Sequence, residues 1–328
     1  MRHGGGPNRP VRRRTIITAA AAIVGVAAIA AGVTLYNTSA GPAGTKTGPL
    51  PDRLPTTSGA YLGVYTNGSP ASYGGVTAFT NATGARPDVL MYYSGWFERF
   101  QAGFAATAAD DGAVPLVQMD PTGVSLAAIA AGQYDGYLSS YAESIRAYGH
   151  PVIMSFGHEM NGTWYSWGYR HSSPKAFVAA WRHVVTVFRV LGAKNVTWLW
   201  TVNIVNDTQQ GAIPSPAPWW PGSSYVNWVG IDGYYLESSW QFASLFGPTI
   251  AKVRGLTGDP ILIAETGAVP AAGQPAKIAD IFAGIRLYQL LGFVYFDATN
   301  FQGLDFSISG HAAVSAFGKG ADTFTRPA

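Results

Sequence analysis

From Tyr61 onward the chain alternates between two kinds of pattern. Short unbroken apolar runs, rich in Val, Ile, Tyr and Trp, recur at 61–65, 89–93, 114–119, 152–156, 196–201, 228–232, 261–265 and 293–297. Runs that are apolar on both faces predict strands of a parallel sheet covered on both sides. Between several of them lie longer stretches with apolar residues three and four apart. Residues 134–148 carry Tyr137, Leu138, Tyr141, Ile145 and Tyr148; residues 175–191 carry Phe177, Ala180, Trp181, Val184, Val187 and Phe188; residues 277–291 carry Ile281, Ile285, Tyr288 and Leu291. That period predicts helices. Eight strands with helices between them, over roughly 260 residues, predict an α/β protein built as a single closed (β/α)8 TIM barrel. An open doubly wound sheet is the alternative, but Tyr65-Thr66-Asn67-Gly68-Ser69-Pro70 after the first strand lacks its Gly-rich phosphate turn.

The chain before Tyr61 reads differently. Arg12-Arg13-Arg14 precede an uncharged apolar run at 15–36, and Thr38-Ser39-Ala40 follow. Twenty-two residues at ~1.5 Å rise can cross a bilayer, and the small residues after them suit a signal peptidase. Residues 1–36 are therefore expected to be a basic tail with either an uncleaved anchor or a cleaved signal peptide. Both place the rest of the chain outside the cytoplasmic membrane, secreted or anchored to its outer face. Residues 37–59, of Gly, Pro, Ser and Thr, read as a linker, 60–320 as the barrel, and 321–328 as a C-terminal tail.

Charge corrects a first impression. The formal net charge is +3, but five of the 21 basic residues are arginines within residues 1–40, which hold no acid. The remainder has 16 basic against 18 acidic side chains, so a nucleic-acid partner is not expected. Cysteine is absent, which excludes disulfides, thiolate metal sites and a cysteine nucleophile. The histidines at 3, 150, 158, 171, 183 and 311 include no pair four residues apart. Neither a metal nor a cofactor is expected.

In a barrel the chemistry sits where strands end. The ends here are Tyr92-Tyr93-Ser94-Gly95-Trp96, Gln118-Met119-Asp120-Pro121, His158-Glu159-Met160-Asn161-Gly162 with Trp164 and Trp167, Trp200-Thr201-Val202-Asn203, Asp232-Gly233-Tyr234-Tyr235, Glu265-Thr266-Gly267 and Tyr295-Phe296-Asp297. Only two glutamates occur among them, Glu159 and Glu265. Carboxylates beside Trp and Tyr faces suit sugar rings, with acids at the glycosidic bond and aromatics under the ring.

The stretch from Ser155 to Gly168, SFGHEMNGTWYSWG, closely resembles the strand-four signature of glycoside hydrolase family 26. Val229-Gly230-Ile231-Asp232-Gly233-Tyr234 and Ile263-Ala264-Glu265-Thr266-Gly267 resemble that family's strand-six and strand-seven segments, in the same order. The resemblance spans about residues 60–320. It implies a retaining mechanism with Glu159 as general acid/base and Glu265 as nucleophile. It further implies a sugar contact from His158, a stacking role for Trp164 and a hydrogen bond from Tyr234 to the nucleophile. Asn161, Trp167, Tyr93, Trp96, Asp232 and Phe296 complete the expected substrate-binding set, while Asn203, Asp120 and Asp297 are expected behind the reacting groups. Two departures stand out: strand eight reads Phe293-Val294-Tyr295-Phe296-Asp297, where many members carry a tryptophan, and Asp120-Pro121 stands where Glu-Pro is frequent. The expected activity is endo-cleavage of a β-linked polysaccharide, foremost β-1,4-mannan, with mixed-linkage β-glucan or β-1,3-xylan as alternatives. A different class, a non-catalytic polysaccharide-binding protein or an accessory factor of exopolysaccharide synthesis, would keep the cleft without turnover. The expected partners are the polysaccharide and, if 15–36 is retained, the membrane; the chain is expected to act as a monomer.

Overall fold

The computed structural model describes residues 54–205, 213–301 and 303–324. The expected tail and anchor at 1–36 lie outside the described residues. Each predicted strand is present: β1 Tyr61–Thr66, β2 Val89–Gly95, β3 Val114–Asp120, β4 Val152–Phe156, β5 Val196–Asn203, β6 Trp228–Asp232, β7 Ile261–Thr266 and β8 Gly292–Asp297. They pair in parallel in sequence order and close β8 onto β1, so the sheet is a (β/α)8 barrel and not an open one. Closure runs over six residue pairs, from Tyr61 with Gly292 to Thr66 with Asp297. Gly292 makes the seam possible. Its φ is 153°, and a β-carbon there would collide with the Tyr61 carbonyl.

Around the barrel stand α1 Gly74–Thr83, α2 Ala102–Asp110, α3 Leu126–Ala130, α4 Asp135–Tyr148, α5 Pro174–Val190, α6 Phe242–Leu245, α7 Gly247–Arg254, α8 Gln274–Leu287 and α9 Gly310–Ala321. The start of α5 shows how sequence sets a boundary. Ser173 accepts from the Ala176 N–H, and Pro174 occupies the first turn, where its missing N–H costs nothing. The expected helix at 277–291 starts three residues earlier and ends at Leu287. Gln289 takes a φ of 53°, and the N–H groups of Leu290 and Gln289 return to the carbonyls of Ile285 and Arg286. This is the Schellman ending, with glutamine where glycine is usual. It frees Leu291 to donate to the Ile261 carbonyl and start β8.

The end of the expected linker is not loose. The Ser58 hydroxyl and the Gly59 N–H both donate to the Leu290 carbonyl, and Tyr61 Oη donates to the Pro55 carbonyl at 2.7 Å.

Candidate active site

Glu159 and Glu265 reach the same interior by different backbone devices. Glu265 depends on an extra residue in β7. Ile231 pairs with Ile263, but Asp232 pairs with Glu265, and the β7–β8 register slips in the same place. In a strand, successive side chains alternate faces. The bulge at Ala264 resets that alternation, so Glu265 shares the inward face with Asp232 while Ile263 stays outside. Glu159 sits just beyond β4 with a φ of 53°, rare for a residue with a side chain. Strain of that kind costs on the order of 1–3 kcal/mol and needs surrounding bonds to hold it. Here the Glu159 N–H donates to the Thr201 carbonyl, and its own carbonyl accepts from Gly162.

The two carboxyls are buried and are solvated by different donors. Tyr93 and Tyr234 donate to the two oxygens of Glu265 at 2.7 and 2.5 Å, with Gln118 Nε2 at 3.4 Å. Glu159 accepts from Asn203 Nδ2 at 2.5 Å and from Trp164 Nε1 at 2.7 Å. Burial raises the pKa of Glu159 to about 7; the charges of His158 and Glu265 then act in opposite directions. Burial also raises that of Glu265, opposed by His158 and by the two tyrosine hydroxyls.

His158 is the cation of this cluster. Its Nδ1 lies 2.8 Å from Asp120 Oδ1 and its Nε2 2.9 Å from Tyr165 Oη. Burial alone would lower its pKa, but the charge and hydrogen bond of Asp120 more than offset that and lift it to about 9. An imidazolium therefore stands beside both glutamates at neutral pH. Its two ring nitrogens are committed to protein groups.

Several other expected sugar contacts belong to the scaffold. Burial does not separate them from the glutamates; their partners do. Trp96 packs into the helical layer against Tyr134, Tyr137 and Phe156. Trp167 stacks on Tyr165 at 4.2 Å and donates to the His158 carbonyl, bracing the histidine. Phe296 is fully buried, stacked on Tyr65 and edge-on to Tyr234 and Phe301. Asn161 exchanges two hydrogen bonds with the Asn203 backbone, which aims Asn203 at Glu159. Asp232 is buried with no hydrogen-bond partner of good geometry at either oxygen. Burial, then the charges of Glu265 and Glu159, raise its pKa well above the usual carboxylate range. Asp297 turns away to accept from the Ile308 N–H. Tyr93, Tyr234 and Trp164 are where they were expected. Sequence reasoning passed over Gln118, Tyr165 and Tyr65 as site residues. Inward parity on β3 and β1 was the available signal for Gln118 and Tyr65. Among the described residues no three His, Asp or Glu side chains form a metal site.

Trp164 depends on Gly162. A β-carbon at 162 would fall within the indole ring, so only glycine lets Trp164 lie over the chain and reach Glu159. Gly162→Ala is expected to displace the indole and remove a bond that favours the ionised acid. Activity should fall about tenfold, and the alkaline limb of the pH–rate profile should move upward. An unmoved limb would show that the indole does not tune Glu159.

Comparison with known proteins agrees with this geometry. Residues 121–271 match the model of glycosyl hydrolase family 26, a span that includes Glu159, Asp232, Tyr234 and Glu265. Endoglucanase H of Acetivibrio thermocellus is 29% identical over 243 residues, covering 70% of this chain and 26% of that protein. A β-1,3-xylanase of Alcaligenes sp is 30% identical over 141 residues, 38% of this chain and 28% of its own. The chain thus spans about a quarter to a third of the length of the curated relatives it matches first. Among solved structures, an endo-β-1,4-mannanase of Cellulomonas fimi has a TM-score of 0.63 at 18% identity, covering 81% of this chain and 71% of that one. A β-mannanase of Bacteroides ovatus has a TM-score of 0.60 at 14% identity, covering 80% and 89%. Likeness at that identity concerns the fold. Taken with the strand-four, strand-six and strand-seven motifs, the match over residues 121–271 makes this chain similar to glycosyl hydrolase family 26.

Proposed function

We propose that the chain is a retaining glycoside hydrolase that cleaves internal β-linkages of a polysaccharide, with β-1,4-mannan the foremost substrate. The observation that carries this reading is the unequal solvation of the two glutamates. Glu265, with two tyrosine hydroxyls and an amide donating to it, is suited to act as a carboxylate. Glu159, whose pKa is raised to about 7, is suited to carry a proton at working pH. In the first step a Glu265 oxygen bonds to the anomeric carbon as the glycosidic C–O bond breaks, and the Glu159 proton passes to the leaving oxygen. In the second, water gives its proton to Glu159 and adds to the anomeric carbon, releasing Glu265. His158 supplies fixed positive charge to both steps. Trp164 donates to the acid, and Tyr234 and Tyr93 orient the nucleophile.

A second substrate reading has its own support. The relatives of higher identity are an endoglucanase and a β-1,3-xylanase, and the mannanases among the relatives match at 24–27%. Release of reducing ends from galactomannan, mixed-linkage β-glucan and β-1,3-xylan decides between them. The mannanase reading expects galactomannan to be cut fastest, and no release from any of the three would overturn the enzymatic reading. The apolar run at 15–36 supports action outside the cytoplasmic membrane.

A further inference from the structure

Phe97 breaks two rules at once. It follows β2 in a tight turn in which the Glu98 N–H returns to the Gly95 carbonyl at 3.1 Å and the Glu98 carboxylate accepts from the Gly95 N–H at 2.9 Å. Phe97 is the third residue of that turn, with a φ of 72°, a position that usually demands glycine. Phe97 is also 60% exposed, so the strain is not repaid by burial. The other large exposed apolar side chains among the described residues, Val190 and Leu287, end α5 and α8, at the opposite mouth of the barrel. Phe97 alone of the three stands on the rim that carries Glu159 and Glu265, four residues beyond the Tyr93 that binds Glu265.

The ring has three aromatic neighbours. Trp96, Tyr134 and Tyr137 meet it edge-on at centroid distances of 6.4, 5.7 and 5.5 Å, with interplanar angles of 69°, 73° and 66°. Those contacts fix the plane of the ring and leave its exposed part to solvent. Violations of local preference without folding gain concentrate at functional positions. A single oriented aromatic ring is too small for a protein interface, which needs hundreds of square ångströms per partner. It does match the apolar face of one pyranose. We propose that Phe97 is a stacking platform for a sugar unit of the polysaccharide, away from the scission point, with Trp96 as its buried buttress. This rests on the glycosidase reading above.

The full chain, its Phe97→Gly variant and its Phe97→Trp variant separate the possibilities. Glycine suits the backbone of the turn and removes the ring; tryptophan keeps a platform. Two readouts are used: retardation in native gels containing galactomannan or mixed-linkage β-glucan, and kcat/KM on those polymers beside an aryl β-glycoside. Phe97→Gly is expected to lose retardation and about tenfold in polymer kcat/KM, through KM. It should match the parent on the aryl glycoside, and Phe97→Trp should retain polymer binding. Unchanged polymer binding and turnover in Phe97→Gly would overturn the platform and leave the glycosidase reading standing. An equal loss on the aryl glycoside would make the ring structural and likewise overturn it. A parent chain neither retarded by nor active on either polymer, and inactive on β-1,3-xylan as well, would overturn both.

Discussion

Glu265→Ala is expected to abolish hydrolysis of every substrate, and Glu159→Ala to stall partway through. Both residues lie at strand ends, and their partners are hydrogen-bonding groups, so both variants should fold. Without Glu265 no glycosyl–enzyme forms, whatever the leaving group. Without Glu159 only proton delivery and water activation are lost. General acid–base help is worth about 10²–10⁴-fold, so polysaccharide turnover should fall by that much. An aryl glycoside departs unprotonated, so Glu159→Ala should form its intermediate at a useful rate and accumulate it. Azide should then attack that intermediate and give the β-glycosyl azide. In Glu265→Ala azide can enter only from the vacated face, giving the α-product. Product stereochemistry by NMR checks the assignment, and exchanged outcomes would mean that the two glutamates have exchanged roles.

The second large effect concerns Asp120, which touches neither glutamate. Its carboxylate keeps His158 charged against the pull of burial. In Asp120→Asn burial prevails, and the imidazole becomes neutral at lower pH. The groups that face His158 are Asp120 from β3, Glu265 from β7, Tyr93 from β2, and Glu159 and Tyr165 from its own loop. The histidine charge lowers the pKa of both glutamates, so its loss raises both; at Glu265 the lost repulsion of Asp120, the smaller effect, opposes this in part. The acid limb, where Glu265 must be ionised, moves to higher pH, and so does the alkaline limb, where Glu159 must be protonated. The whole bell moves upward. On the acid limb the rate changes about tenfold for each pH unit, so activity there should fall by about tenfold for each unit the limb moves. A profile that loses height without moving would show Asp120 to be structural only.

The barrel was legible because its strands are apolar on both faces, a pattern that needs no knowledge of partners. The ending of α8 was not. Its apolar period runs on through Leu291, and only the left-handed turn at Gln289 cuts it off. At the site, residue type and strand end were readable but facing was not always so. Tyr234 and Tyr235 are neighbours, yet Tyr234 binds Glu265 while Tyr235 points outward to Asp280 and Lys277. Trp96, Trp167 and Phe296 show the converse: large aromatics near the chemistry that buttress other side chains. The bulge at Ala264 matters most here. A period of two counted from Ile261 puts Glu265 on the face of Ile263, and nothing in Ile-Ala-Glu-Thr-Gly announces the extra residue. Its place at a strand end and the family resemblance pointed to Glu265; its inward facing did not follow from the period.

The role of Glu265 is tested most directly by the anomeric configuration first released from the polysaccharide that the chain cleaves fastest, followed by proton NMR before mutarotation. Double displacement through Glu265 predicts that the β-anomer appears first and the α-anomer only later, by equilibration. Initial appearance of the α-anomer would mean a single displacement by water and would contradict the nucleophilic role of Glu265.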